Sequence, residues 1–232
     1  MSKLSLIKKI LILVLILALP GFLYYLLTVK GKNRYHALAK FGPKEIAKTT
    51  HRVRGKDVPD TIYHTVNDFK LADQDGNSVS VKTFDGKIFV ANFFYTHCPN
   101  ICTVMNANMD SLSRAWAKNK MVYFASITVD PDRDSAPVLK KYSERFPGSA
   151  KWLFLTGDTS TIYPLARNGF LVNALKVDKD NFIYSDKLML IDSHERIRGY
   201  YSGASMPDVL RLNDEIKVLI SEELRAKDTP LY

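Results

Sequence analysis

Two residues in this chain have the type and spacing for chemistry: Cys98 and Cys102, its only cysteines, in the run CPNIC. Positions four apart on a helical turn hold their Cβ atoms about 5–6 Å apart, so modest adjustment of a loop brings two sulfurs within bonding distance. A reversible disulfide is one chemistry this spacing supports. Binding of Cu(I) is the other, because soft thiolates select a soft ion that accepts few ligands. A helix N-terminus would favour either by raising the thiolate fraction. Structural zinc fits poorly, since it wants four ligands and no second pair with finger spacing is present. Two thiols buried by chance is the plainer account, cysteine being among the most buried residue types. Position argues against it.

That position follows from the flanking elements. Lys87 to Tyr95, KIFVANFFY, is a continuous apolar run rich in β-branched and aromatic residues, which reads as a buried central strand. Cys102 to Lys118 sets Val104, Met105, Met109, Leu112 and Trp116 at helical spacing. The cysteines therefore lie where a strand gives way to a helix, at the carboxyl edge of a sheet, where α/β folds collect ligands. Upstream, FKLADQDGNSVSVKTF alternates around Asp75-Gly76-Asn77 and predicts a β-hairpin. Downstream, Met121 to Val129 predicts a second buried strand ending in DPDRDS, with Asp134 or Ser135 to cap a helix and Pro137 in its first turn. Trp152 to Leu155 predicts a short strand and Ser160 to Asn168 a short helix stopped by Gly169. Lys187 to Asp192 and Arg196 to Tyr201 predict a hairpin, and Pro207 to Leu224 an amphipathic helix with Val209, Leu210, Ile216, Leu219, Ile220 and Leu224 near one stripe. The order βαβα then ββα predicts an α/β, thioredoxin-like fold: a mixed central sheet flanked by helices, with an added N-terminal hairpin.

The formal net charge of +9 raises the question of nucleic-acid binding. Residues 1–56 hold 12 of the 33 Lys and Arg and one acid, Glu45, so residues 57–232 carry 21 bases against 23 acids. A nearly neutral domain with a basic collar suits a membrane surface better than a phosphate backbone. From Ile10 to Val29 the chain has 20 residues without a charge, enough for a helix to cross a bilayer core of about 30 Å. Pro20-Gly21 would kink such a helix rather than abolish it. No small-x-small cleavage site follows the run, so an uncleaved anchor is expected over a signal peptide. The expected organisation is a tail at 1–9, a transmembrane anchor at 10–29, a basic linker at 30–60, a thioredoxin-like domain at 61–226 and a tail at 227–232.

The stretches FVANFFYTHCPNICTVM, ITVDPDRDSAPVLKKYSERF, WLFLTG and KLMLIDSHERIRGYYSG together resemble the Sco (SenC) family of membrane-anchored copper and thiol proteins that assist cytochrome c oxidase assembly. The combination of C-x-x-x-C after one strand and VDPxRD after the next is more specific than either motif alone. The resemblance spans roughly Thr61 to Leu224. It implies a single-pass protein whose domain faces the periplasm or an equivalent space, although charge alone leaves the orientation open, the C-terminal flank of the apolar run being at least as basic as the N-terminal one. It also implies that Cys98 and Cys102 are the redox and copper-binding cysteines, and that Asp130 lies near their loop, where a turn-forming role is its plainer account.

Two departures stand out. Thr103 replaces the proline that usually follows the second cysteine. Tyr184, in IYSDKLMLID, stands where the family's third copper ligand is a histidine; a phenol is a hard donor with an ordinary pKa near 10 and suits Cu(I) poorly. His97, His194 and His64 are the available substitutes, with His97 beside Cys98. The expected function is therefore thiol-disulfide exchange on the copper-binding subunit of cytochrome c oxidase or another redox protein, Cys98 attacking and Cys102 resolving. A Cu(I) metallochaperone with a weakened third ligand is the alternative. A peroxidase on the same scaffold would want Thr three residues before the cysteine, where this chain has Tyr95.

Overall fold

The computed structural model describes residues 3–26, 37–53, 55–98, 101–148, 150–178 and 182–228. The chain divides into two compact units, Met1–His36 and Ala37–Tyr232. The first contains one helix, α1 (Lys3–Tyr25), which runs through Pro20. Among the described residues no helix is long and apolar enough to cross a membrane. Of the segment expected as an anchor, 10–29, residues 10–25 are helical in α1, and 27–29 lie outside the described residues.

In the second unit the continuous apolar runs become the sheet. The strands are β5 (Ile88–Phe94), β6 (Val122–Thr128), β7 (Trp152–Leu155), β10 (Lys187–Ile191) and β11 (Ile197–Ser202). They lie in the order β11-β10-β5-β6-β7. β5, β6 and β7 are parallel, in register from Ile88↔Val122 through Phe94↔Thr128. β10 closes the other side antiparallel to β5 and β11. Every residue of β5 is buried, because both faces of the sheet are covered.

The period of two along β5 separates two cores. Phe89, Ala91 and Phe93 face one core with Phe84, Phe170 and Ile162. This side is covered by the hairpin β3 (Lys70–Ala72) and β4 (Ser78–Ser80), the turn Val81–Phe84, and α4 (Thr159–Pro164) with the turn Leu165–Gly169. Ile88, Val90 and Phe94 face the other core, covered by α2 (Ile101–Ala115), α3 (Ala136–Ser143) and α5 (Met206–Asp228). Burying each such side chain stabilises the fold by about 1.5–3 kcal/mol before entropy is counted. The buried stripe of α5 is Val209, Leu212, Ile216 and Leu219, whereas Leu210 and Leu224 are exposed, as is Val104 on α2.

Two parts depart from the sequence reading. The segment expected as linker at 30–60 contains an antiparallel hairpin, β1 (Lys44–Val53) with β2 (Lys56–Tyr63), and residues 30–36 lie outside the described residues. Ahead of that hairpin, Phe41 donates its backbone N–H to Ile197 and sets its ring edge-on to Tyr200, so the folded unit begins well before residue 61. A further antiparallel pair, β8 (Ala174–Lys176) with β9 (Phe182–Tyr184), forms a two-stranded sheet of its own, and residues 179–181 lie outside the described residues. The tail expected at 227–232 is helical through Asp228, and 229–232 lie outside the described residues.

Candidate redox site

The parallel strands β5 and β6 end side by side, and the chain leaving each builds the site. After β5, Cys98 donates its N–H to the carbonyl of Tyr95, turning the chain before α2 begins at Ile101. Cys102 is the second residue of α2, so the positive end of the helix dipole faces it. Pro99 and Asn100 lie outside the described residues. The two sulfurs are bonded to one another, with an S–S distance of 2.09 Å and the Cα atoms 5.8 Å apart. Cys102 is 1% exposed, while Cys98 is partly exposed. A partner can therefore reach the pair through Cys98.

Tyr184 completes the site. Its Oη lies 2.8 Å from Cys98 Sγ and 3.2 Å from Cys102 Sγ. A disulfide carries no S–H, so the phenol is the donor. Burial, with Tyr95 and Asp186 adding to it, pushes the Tyr184 hydroxyl up to about 12, which keeps its proton in place at neutral pH. The ring stands edge-on to Tyr95, centroids 5.6 Å apart, and Tyr95 packs on Phe182 of the same hairpin at 4.8 Å.

The turn after β6 holds the cysteine loop from the other side. Asp134, fully buried, accepts the backbone N–H of Thr96 at 3.0 Å, the Thr96 hydroxyl at 2.5 Å and the Thr128 hydroxyl at 2.5 Å. Ser135 occupies the N-cap position of α3 without a side-chain capping bond, and the Asp134 carboxylate turns inward to Thr96, two residues before Cys98. The sequence offers Asp134 or Ser135 as the cap and does not mark Asp134 as a site residue; the signal that could have found it is the third aspartate of a turn, DPDRDS, that begins at the carboxyl edge of the sheet.

The other expected site residues are dispersed. Asp130 is buried and paired with Arg133, with one carboxylate oxygen lacking a hydrogen-bond partner. Its carbonyl accepts the N–H groups of Arg133 and Asp134, the turn-forming role. Arg133 lies over the Phe182 ring at 5.9 Å, which links Asp130 to the site at one remove. His97 is exposed and hydrogen-bonded to Thr96, and His64 bonds the carbonyl of Gly169. His194 sits with Asp192 and Glu223 in the one cluster of three potential metal ligands among the described residues. Both Asp192 oxygens there already accept donors from His194, Arg196 and Arg198, which makes the cluster an ion-pair knot.

The donor set thus offers a copper ion two sulfurs and a protonated phenol. Once reduced, the sulfurs alone satisfy the minimum a Cu(I) ion accepts, and the phenol is no third soft ligand. Among the described residues there is no three-donor copper site of soft ligands here.

A family model described as SCO1/SenC matches residues 59–220. The SCO1 protein homolog of Bacillus subtilis is 31% identical over 153 residues, 64% of this chain and 79% of that protein. BsSco, described as having a disulfide switch and as a member of the Sco family of cytochrome c oxidase assembly proteins, superposes with a TM-score of 0.60 at 30% identity, over 66% of this chain and 92% of its own. ScoI of Bradyrhizobium japonicum, solved with copper bound, superposes with a TM-score of 0.57 at 26% identity, over 66% and 98%.

Proposed function

Because this chain belongs to the SCO1/SenC family, we propose that it serves cytochrome c oxidase assembly as a thiol-disulfide oxidoreductase acting on the cysteines of the oxidase's copper-site subunit. One observation carries the reading: a bonded cysteine pair with a single reachable sulfur, backed by a phenol where the family's third copper ligand is expected. In the reduced chain the Cys98 thiolate attacks one sulfur of the partner's disulfide. A bond forms between Cys98 and that sulfur, and the partner's second sulfur leaves as a thiolate. The Cys102 thiol then gives its proton to the thiolate the partner has just released and attacks Cys98, re-forming the Cys98–Cys102 bond and releasing the partner's first sulfur as a thiolate. The partner gains two electrons, this chain loses them, and a dithiol reductant restores the starting state.

Trapping tests this. Cys102→Ser is expected to accumulate a mixed disulfide with the copper-site subunit through Cys98, and Cys98→Ser to accumulate none. Absence of both the adduct and electron transfer from the wild type would sink the reading.

The two neighbouring sulfurs also favour a second reading, in which Cu(I) is carried as cargo, as copper is bound in the Bradyrhizobium relative. Anaerobic titration against a chromophoric chelator separates the two. On the exchange reading the reduced wild type competes poorly and Tyr184→His gains roughly tenfold or more. Tight stoichiometric binding by the wild type, lost in Cys98→Ser, supports delivery.

We further propose that the apolar run Ile10–Val29 holds the chain at a membrane, with the domain on the extracytoplasmic side. The uncharged length and the basic flanks support attachment, and the side rests on membership of the SCO1/SenC family rather than on charge. Release of the full chain from membranes by alkaline carbonate would rule it out.

A further inference from the structure

Sulfur-to-sulfur exchange needs two cysteines, and the contact made by Tyr184 has no part in its bond changes. One phenolic proton can point at one sulfur, and Cys98, at 2.8 Å against 3.2 Å, is the nearer. The hydroxyl is held there from several directions. β9 is tied to β8 through the pairing of Ala174 with Tyr184, and the ring packs against both cores and edge-on to Tyr95. A disulfide sulfur is a weak acceptor. The same sulfur as a thiolate carries a full charge, and hydrogen bonds to ionised acceptors are roughly twice as strong as neutral ones. A donor fixed at this place therefore binds the reduced state better than the oxidised one.

We propose that Tyr184 sets the redox poise of the Cys98–Cys102 couple, favouring the reduced form by donating its hydroxyl hydrogen bond to the Cys98 sulfur. The proposal rests on the exchange reading above. In the half-reaction the S–S bond takes up two electrons and one proton, giving a Cys98 thiolate and a Cys102 thiol. The electrons come from the dithiol reductant, and the phenol keeps its proton throughout. The residue that removes a soft third ligand from the site thereby acquires a role in the remaining chemistry.

The test is equilibration of the full chain with glutathione redox buffers at pH 7, followed by alkylation and counting of free thiols. Tyr184→Phe keeps the ring and loses the donor; its equilibrium constant for reduction is expected to fall about tenfold, which corresponds to about 30 mV toward a more reducing potential. Tyr184→Leu, a second side chain without a hydroxyl, is expected to move the same way and serves if the Phe variant does not fold. Tyr163→Phe, which removes a hydroxyl bonded to the Val129 carbonyl, is expected to stay within about twofold of the wild type. Equal constants for wild type and Tyr184 variants, or a shift of opposite sign, overturn the role of Tyr184 and leave the exchange reading standing. A wild-type disulfide that no buffer reduces overturns both.

Discussion

Asp134 divides one carboxylate among three donors on two segments, tying the start of the cysteine loop to the end of β6. Hydrogen bonds to a buried charge are worth more than neutral ones, and losing this acceptor would take from the Thr96 N–H and from the Thr96 and Thr128 hydroxyls the partner they share. Asp134→Ala is accordingly expected to cost about 2–4 kcal/mol in urea unfolding. A loss within about 0.5 kcal/mol would mean the clamp is energetically idle. Glu195 presents the opposite case. Burial pushes its carboxyl above the ordinary value of 4.5, and Asp85, Asp68 and Asp192 add like charge. The folded chain keeps this proton where the unfolded chain has released it, so stability falls as pH rises from 4.5 through the raised folded value. Glu195→Gln removes that slope. Its urea midpoint, compared with the wild type, is expected to be higher at pH 7 and to lose that advantage by pH 4; an equal difference at both would contradict the assignment.

Among the elements, the hairpin β8–β9 is the exposed one that matters. Its strands have three residues each, pair only with one another, and leave Leu175 and Ile183 open to solvent. An isolated two-stranded hairpin is marginal without packing, and here the anchors are Phe182 and Tyr184 against Tyr95. Amide hydrogen exchange should show β8 and β9 opening well below the free energy of global unfolding, with β5 protected to that limit. Equal protection in the two would refute the ranking. The same shortness explains why this hairpin was illegible in the sequence, three alternating residues being too few to establish a period. The hairpin β1–β2 escaped for another reason: β2 shows almost no buried positions, so no hydrophobic face marks it as a strand. β5 and β6 were legible because burial on both faces demands an unbroken apolar run. The cysteine pair was legible from type and spacing, and Tyr184 from the family resemblance. The inward turn of Asp134 was not, since its direction depends on Thr96, 38 residues away.

For the molecule as a whole, the disulfide closes a loop of only five residues, counting both cysteines. Chain-entropy reasoning assigns such a loop about 2 kcal/mol of stabilisation, much less than a long-range crosslink. Reductant should therefore lower the urea-unfolding free energy by about that amount while the domain stays folded; global unfolding on reduction would show that the pair is architectural rather than exchangeable. The folded unit fastens its own two ends independently of that bond. Arg198, almost wholly buried, donates to the carbonyls of Leu38 and Ala39 and pairs with Glu222 on α5, while the Leu38 N–H donates to the same glutamate. Tension applied through the amino-terminal segment would accordingly be carried by this guanidinium rivet and the final helix before it reached β5, and the sulfurs beyond that strand would be shielded from the strain of a tether.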